Sequence, residues 1–175
     1  MPSLGIGLAC GQFTVDALRY GYTPEEWAAL SDVVVVGKVE AVGEGQWATE
    51  DGKEPRLDQG ERPTAMNVFR IATIAITNVG KASISGDVRE GKTIDVRVLG
   101  GTVGCRTFTI SGQAEIEPGA EFALFLSAQP EPNLARATFT GFDVIDLWPI
   151  SEGLAHGPSV DITVADLLAA AVRSE

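Results

Sequence analysis

Asp32-Val33-Val34-Val35-Val36-Gly37-Lys38-Val39-Glu40-Ala41-Val42 is the stretch on which the fold turns. Valine is β-branched and stiff at χ1, so four in succession favour a strand over a helix. With no polar residue among them, they predict a strand buried on both faces at its start. Alternation then sets in, with Val39 opposed to Lys38 and Glu40, the pattern of a half-buried strand. Gly37 inside the run predicts a bulge or a sharp coil.

Just before it, Thr23-Pro24-Glu25-Glu26-Trp27-Ala28-Ala29-Leu30 carries the signals of a helix over 23–30. Thr23 suits the N-cap, Pro24 the first helical position, and Glu26 completes a capping box. Just after it, residues 43–66 are turn-rich, polar and acidic, and predict a long loop. Trp47 is the costly apolar residue of that loop.

Further strands are expected at Met66–Thr77, Thr93–Leu99, Arg106–Ile110, Phe122–Leu126 and Ala135–Phe142. In the first of these, Phe69 and Ile71 share one face while Ile74 and Ile76 fall on the other. That slip of phase near Thr73 predicts a bulge or strong bend. Gly100-Gly101-Thr102-Val103-Gly104-Cys105 turns a corner, residues 143–162 read as irregular, and 163–174 as a helix. Thr163 caps that last helix, whose apolar face gathers Val164, Leu167, Leu168, Ala171 and Val172. Strands over 31–142 with a helix at each end predict a mainly β fold, a small closed antiparallel barrel of five or six strands. There is no internal repeat, and 1–175 reads as one domain.

The balance of 24 acidic against 13 basic residues gives a formal net charge of −11. A surface this negative repels phosphate backbones, and the bases are scattered singly, which argues against nucleic acid as a partner. No apolar run approaches the roughly 18 residues of a membrane-spanning helix. Leu4-Gly5-Ile6-Gly7-Leu8-Ala9-Cys10 resembles the tail of a secretion signal but is short and lacks a basic start. Either a signal has been removed or there was none. Cys10 and Cys105 read either as two unrelated buried thiols or as one disulfide, which requires an oxidising compartment. No cofactor motif is present.

Four segments resemble the netrin-like domains, oligonucleotide/oligosaccharide-binding (OB) barrels that include the tissue inhibitors of metalloproteinases. They are Ser31–Val39, Gly91–Val98, Gly100–Cys105 and Pro118–Leu126, which match in order an opening strand, a third strand, a cysteine-bearing loop and a closing strand. The likeness spans about residues 31–142. It implies a bridge between Cys10 and Cys105. Inhibitor action in that family needs a cysteine with a free α-amino group, whereas nine residues precede Cys10, so protease inhibition does not carry over.

Chemistry-bearing candidates are few. His156, the single histidine, lies in Ala155-His156-Gly157-Pro158, read as a turn; no Gly-x-Ser-x-Gly elbow accompanies it. Glu115 and Glu117 flank Ile116 on a strand-like face, as an acid/base pair or a solvated edge. Asp51-Gly52 and Asp58-Gln59-Gly60 offer hard oxygen ligands without the spacing of a calcium loop. Gly100–Gly104 lacks the Lys-Ser/Thr and the helix of a phosphate loop. Trp47 and Trp148 are candidate partner anchors, or lids folded onto the barrel's end.

The expectation is a non-enzymatic binding domain, secreted or at the cell envelope, which engages a protein or glycan partner through its loops. The alternatives are a structural subunit of a larger cell-surface or viral assembly, docking through the helix face near Leu167, and a carboxylate-dependent hydrolase. Oligomers are compatible with each.

Overall fold

The computed structural model describes residues 9–16, 20–58, 60–82, 86–129, 134, 137 and 139–174. In chain order the elements are β1 (Gly11–Val15), α1 (Pro24–Leu30), β2 (Val33–Val42), β3 (Gln46–Trp47), β4 (Val68–Ala82), β5 (Thr93–Leu99), β6 (Gly101–Val103) and β7 (Arg106–Ile110). There follow β8 (Glu121–Ser127), β9 (Phe142–Ser151), β10 (Leu154–His156), β11 (Asp161–Thr163) and α2 (Val164–Arg173). The mainly β character is as the sequence predicts. The number of strands is not: eleven occur among the described residues, in two sheets, and two of the pairings, β1–β7 and β5–β9, are parallel.

In the larger sheet β2 pairs with β4, β4 with β5, β5 with β9, β9 with β8, and β8 again with β2. The circuit of pairings returns to its start. Val33, Val35 and Val39 meet Ile74, Ile76, Val96, Val98, Phe122, Leu124, Leu126 and Leu147 in one core cluster. Val34 and Val36 point the other way, into a second cluster with Trp27, Phe125, Trp148, Leu167 and Ala171. The valine run is therefore buried on both faces because one face meets the other strands and the other is roofed by α1 and α2. Each such side chain contributes about 1.5–3 kcal/mol by leaving water.

The helices start as their capping residues dictate. Thr23 Oγ1 accepts from the Glu26 N–H and the Glu26 carboxylate accepts from the Thr23 N–H, which closes the capping box of α1. Its C-terminal carbonyls are also met, Trp27 by Ser31 Oγ and Ala28 by the buried Lys81 Nζ at 3.0 Å. In α2, Leu167 and Ala171 are buried against the chain's own sheet, so the helix face expected to dock on neighbours is largely covered within the molecule.

Three readings of the strands need correction. First, β4 stays in phase through Thr73. Phe69 and Ile71 face a small cluster with Leu134, while Ala72, Ile74 and Ile76 face the main core. Both faces are covered, so the apparent slip is a strand buried on two sides. The bulge predicted there is present, its extra residue being Glu40 of β2 opposite Thr73 and Ile74, and β4 itself carries extra residues at Thr77 and Gly80. Second, residues 143–162 are ordered as β9, β10 and β11 rather than irregular. Pro149, whose missing N–H weakens a strand reading, sits where β9 passes from β8 to β10. Third, of the strand expected at 135–142, residues 135, 136 and 138 lie outside the described residues, and among the described ones only Phe142 belongs to a strand. Gly37 is required as read, since a side chain there would collide with Ile74 Cγ2 and stand 2.8 Å from the Ala75 carbonyl.

Candidate functional site

The smaller sheet, in the order β1–β7–β6, is sided. Phe13, Val15, Val103, Phe108 and Ile110 pack with Trp47, Ala65 and Val68 beneath it. On the opposite face Thr14 and Thr109 share a hydroxyl hydrogen bond at 2.8 Å, as do Thr102 and Thr107 at 2.9 Å. Gln12 stands opposite Thr107 in the parallel register. The sheet is stapled by the disulfide between Cys10, just before β1, and Cys105, at the β6–β7 turn (Cα–Cα 5.0 Å). Of the two readings of these cysteines, the bridge is the one realised.

Beside this polar face opens a cleft of about 300 Å³, lined by Gln12, Thr102, Thr107, Gln113, Glu115 and Arg70 among others. Arg70 comes from β4. It shares its phase with Val68, Ala72 and Ile74, the inward-facing set, so a cation stands at the end of the core where an apolar residue is expected. Its Nε is shut off from solvent and has no hydrogen-bond partner among the described residues. Burial pulls the guanidinium below the usual arginine pKa, and the charge of Glu115 pushes it back up. That attraction does not close into a salt bridge. Arginine brings five donors in a planar fork, and a half-buried one with an unused donor is an uncommon arrangement.

The corner Gly100–Gly101 shapes the cleft. Both glycines have positive φ, 84° and 137°. A side chain at Gly100 would stand 2.7 Å from the Phe108 carbonyl, and one at Gly101 would press on Gly45 Cα at 3.2 Å with the Arg70 stem just beyond. This stretch is a structural corner, as its sequence predicts, and it forms one wall of the cleft. The cleft's polar side chains arrive on β1, β4, β6, β7 and the 111–120 connection, and the disulfide ties β1 to the β6–β7 turn among them.

The long 43–66 segment is tied down. Gln46–Trp47 pairs with β4, the Gly45 N–H donates to the Thr102 carbonyl at 3.1 Å, and Arg106 makes a bidentate pair with Glu54 at 2.8 and 2.7 Å. The Arg106 guanidinium lies 5.1 Å from the Trp47 ring centroid, and that ring meets Phe108 edge-on. Hydrogen bonding from Arg106 holds the Glu54 carboxyl below its usual range.

The tryptophans proposed as anchors are both buried. Trp47 is 7% exposed and Trp148 is 0% exposed. Trp148 packs on Phe125 and donates its Nε1–H to Asp146 at 2.8 Å. Neither ring faces solvent, so what these side chains do is pack on the domain. A ring in water is costly, and here each has found a place in a core cluster. Glu115 and Glu117 leave the chain on either side of the buried Ile116, in a connection rather than on a strand, and Glu115 alone lines the cleft. Asp51 engages its own turn through the Lys53 N–H and ammonium. Asp58 is described but residue 59 lies outside the described residues. No group of three or more His, Cys, Asp or Glu gathers among the described residues.

His156 departs most from its reading. It lies on β10, not in a turn, directly opposite Asp161 of β11. Ser151 Oγ meets His156 Nε2 at 2.7 Å and His156 Nδ1 meets Asp161 Oδ1 at 2.9 Å. This is the connectivity of a nucleophile, a base and its orienting acid. The tight turn at Glu152 (φ 51°) and Gly153 (φ 78°) brings the strands together. The array is wet, however: the Asp161 side chain is 62% exposed and that of His156 36%, and preorganised charge stabilisation depends on excluding water.

Two arginines, one half-buried and one fully buried, escaped the sequence reading. Arg70 carries a signal, an arginine on the interior phase of an otherwise apolar strand. Arg97 sits in Thr93–Leu99, whose clean alternation places it on the outer face, yet it is 3% exposed. It makes a bidentate pair with Asp143 at 2.6 and 2.8 Å, donates to the carbonyls of Leu134 and Ala137, and lies between the rings of Phe69 and Phe139. No protein-family model matches this chain, and no curated protein matches it.

Proposed function

We propose that this chain is a non-enzymatic binding domain of the OB type, similar to the netrin-like domains, which takes a protein or glycan partner at the cleft beside Arg70. The closed circuit β2–β4–β5–β9–β8 fits the five-stranded barrel of that type, whose second and third strands and nearby loops carry ligands. Here the corresponding strands are β4 and β5, and Arg70 and Leu99 bring them to the cleft. The Cys10–Cys105 bridge supports residence in an oxidising compartment, outside the cell or at its envelope. The observation that carries the reading is Arg70, a half-buried cation at the wall of a cleft lined by amide and hydroxyl side chains.

Glycan and peptide arrays probed with the labelled domain test it. Hits lost in a cleft-filling Gln113→Trp variant of unchanged melting temperature support the reading. Hits that survive that substitution refute the cleft.

A second reading, a serine hydrolase, is favoured by the Ser151–His156–Asp161 hydrogen bonds alone. A fluorophosphonate probe decides between them. We expect no labelling of the native chain; stoichiometric labelling at Ser151, lost in His156→Ala, would establish the hydrolase.

A further inference from the structure

The geometry points to a carboxylated sugar, a uronate, as the ligand of the Arg70 cleft. This inference rests on the cleft being a binding site and adds the chemistry of what enters it.

Arg70 is the cleft's cation; its Nε is shut off from solvent, so the fork a ligand meets is the pair of terminal amino groups. Carboxylates match the planar guanidinium fork in two parallel hydrogen bonds. The charge offered must be single. Glu115 lines the same cleft, and the chain carries a net charge of −11, so a dianion meets more repulsion than one guanidinium offsets. This disfavours phosphate monoesters and favours a carboxylate.

The remaining walls then specify what bears it. Gln12, Thr102, Thr107, Thr109 and Gln113 line the cleft. Their amides and hydroxyls both donate and accept, the complement of a polyol whose hydroxyls do the same. Thr102 and Thr107 already share one hydrogen bond, which fixes their oxygens before a ligand arrives and lowers the ordering cost of binding. Phe108 and Ile110 also reach the cleft and offer apolar surface for the C–H faces of a sugar ring. The volume, about 300 Å³, is at the small end of ligand pockets and suits one or two sugar residues rather than an extended peptide.

Titrating the ¹⁵N-labelled chain with glucuronate and galacturonate, against glucose, galactose, acetate and inorganic phosphate, tests this. The expected result is that the uronates shift the amides of Gln12, Thr107 and Gln113. Their affinity is expected to exceed that of the neutral sugars by about tenfold or more, the usual order for one buried charge-assisted pair. Arg70→Met should abolish that preference, and Arg70→Lys, which keeps the charge and loses the fork, should retain part of it. Because the Arg70 Nε has no partner to lose, Arg70→Met is expected to fold with an unchanged or raised melting temperature, which keeps the test interpretable.

Equal binding of glucose and glucuronate, equal binding of acetate, tighter binding of phosphate, or no shifts at these amides would each overturn the inference. Array hits that Gln113→Trp blocks while uronates fail to bind would leave the cleft as a binding site and refute only this ligand chemistry.

Discussion

Removing the disulfide as Cys10→Ala/Cys105→Ala probes how the cleft is held together. The bridge joins residues 95 apart in sequence. In the chain-entropy picture, closing a loop of that size destabilises the unfolded state by about 4.7 kcal/mol. In the folded state the bridge has one strand to secure. Among the described residues β1 pairs with β7 alone, and its Phe13 and Val15 are only partly buried, a gain on the order of 2–3 kcal/mol. Ordering its five residues costs about 1–2 kcal/mol each. Unstapled, β1 therefore frays, and fraying returns part of what the folded state loses. The expected net loss is about 3–4 kcal/mol in urea unfolding, roughly a 2 M fall in midpoint for a slope on the order of 2 kcal/mol/M. Hydrogen exchange should show the amides of Phe13 and Val15 losing protection while Val34 and Phe125, on the far side of the core, keep theirs. A midpoint unchanged within about 0.5 M, with Phe13 still protected, would refute the claim that the bridge holds β1, and with it the claim that the Gln12 wall of the cleft depends on an oxidising compartment.

The buried Arg97–Asp143 pair, beside Leu134, Ala137 and Phe139, makes a contrasting test. Arg97→Met should cost about 3–5 kcal/mol in urea unfolding, since it leaves a buried carboxylate without its cation, and Arg97→Met/Asp143→Leu should restore most of it; a double variant as weak as the single would refute that account. The Glu54–Arg106 clamp predicts a pH step. Because the folded Glu54 pKa is depressed below 4.5, its stabilising contribution is complete above that value and is lost as pH falls through the lower folded one. Hydrogen exchange of residues 48–58, corrected for intrinsic rates, should accelerate below about pH 4, and Glu54→Gln should be fast already at neutral pH; a wild-type loop equally protected at pH 3 and pH 6 would count against the clamp.

What the sequence shows and hides follows from what each residue's neighbours can reveal. Val33–Val36 is legible because the run leaves no polar face to put in water, so both faces must be covered whatever covers them. Thr23 and Thr163 are legible because a cap is satisfied within three residues. Ser151, His156 and Asp161 are opaque: they meet only because β9, β10 and β11 fold over a tight turn, and Pro149 hid the first of those strands. Arg97 misled for a related reason. Alternation tells which residues share a face, and it cannot tell whether that face meets water, so an arginine among valines reads as solvated until Leu134, Ala137 and Phe139 are found against it. Arg70 differs from all of these. It sits on the inward phase with Val68 and Ala72, and half-burying a guanidinium there, with its Nε given no partner among the described residues, is a cost that packing does not require. An apolar side chain would complete the end of the core and leave no donor unmet. That local conflict between sequence pattern and fold is what singles out this position, rather than the better-satisfied Arg97 or the solvated His156, as the place where the chain meets another molecule.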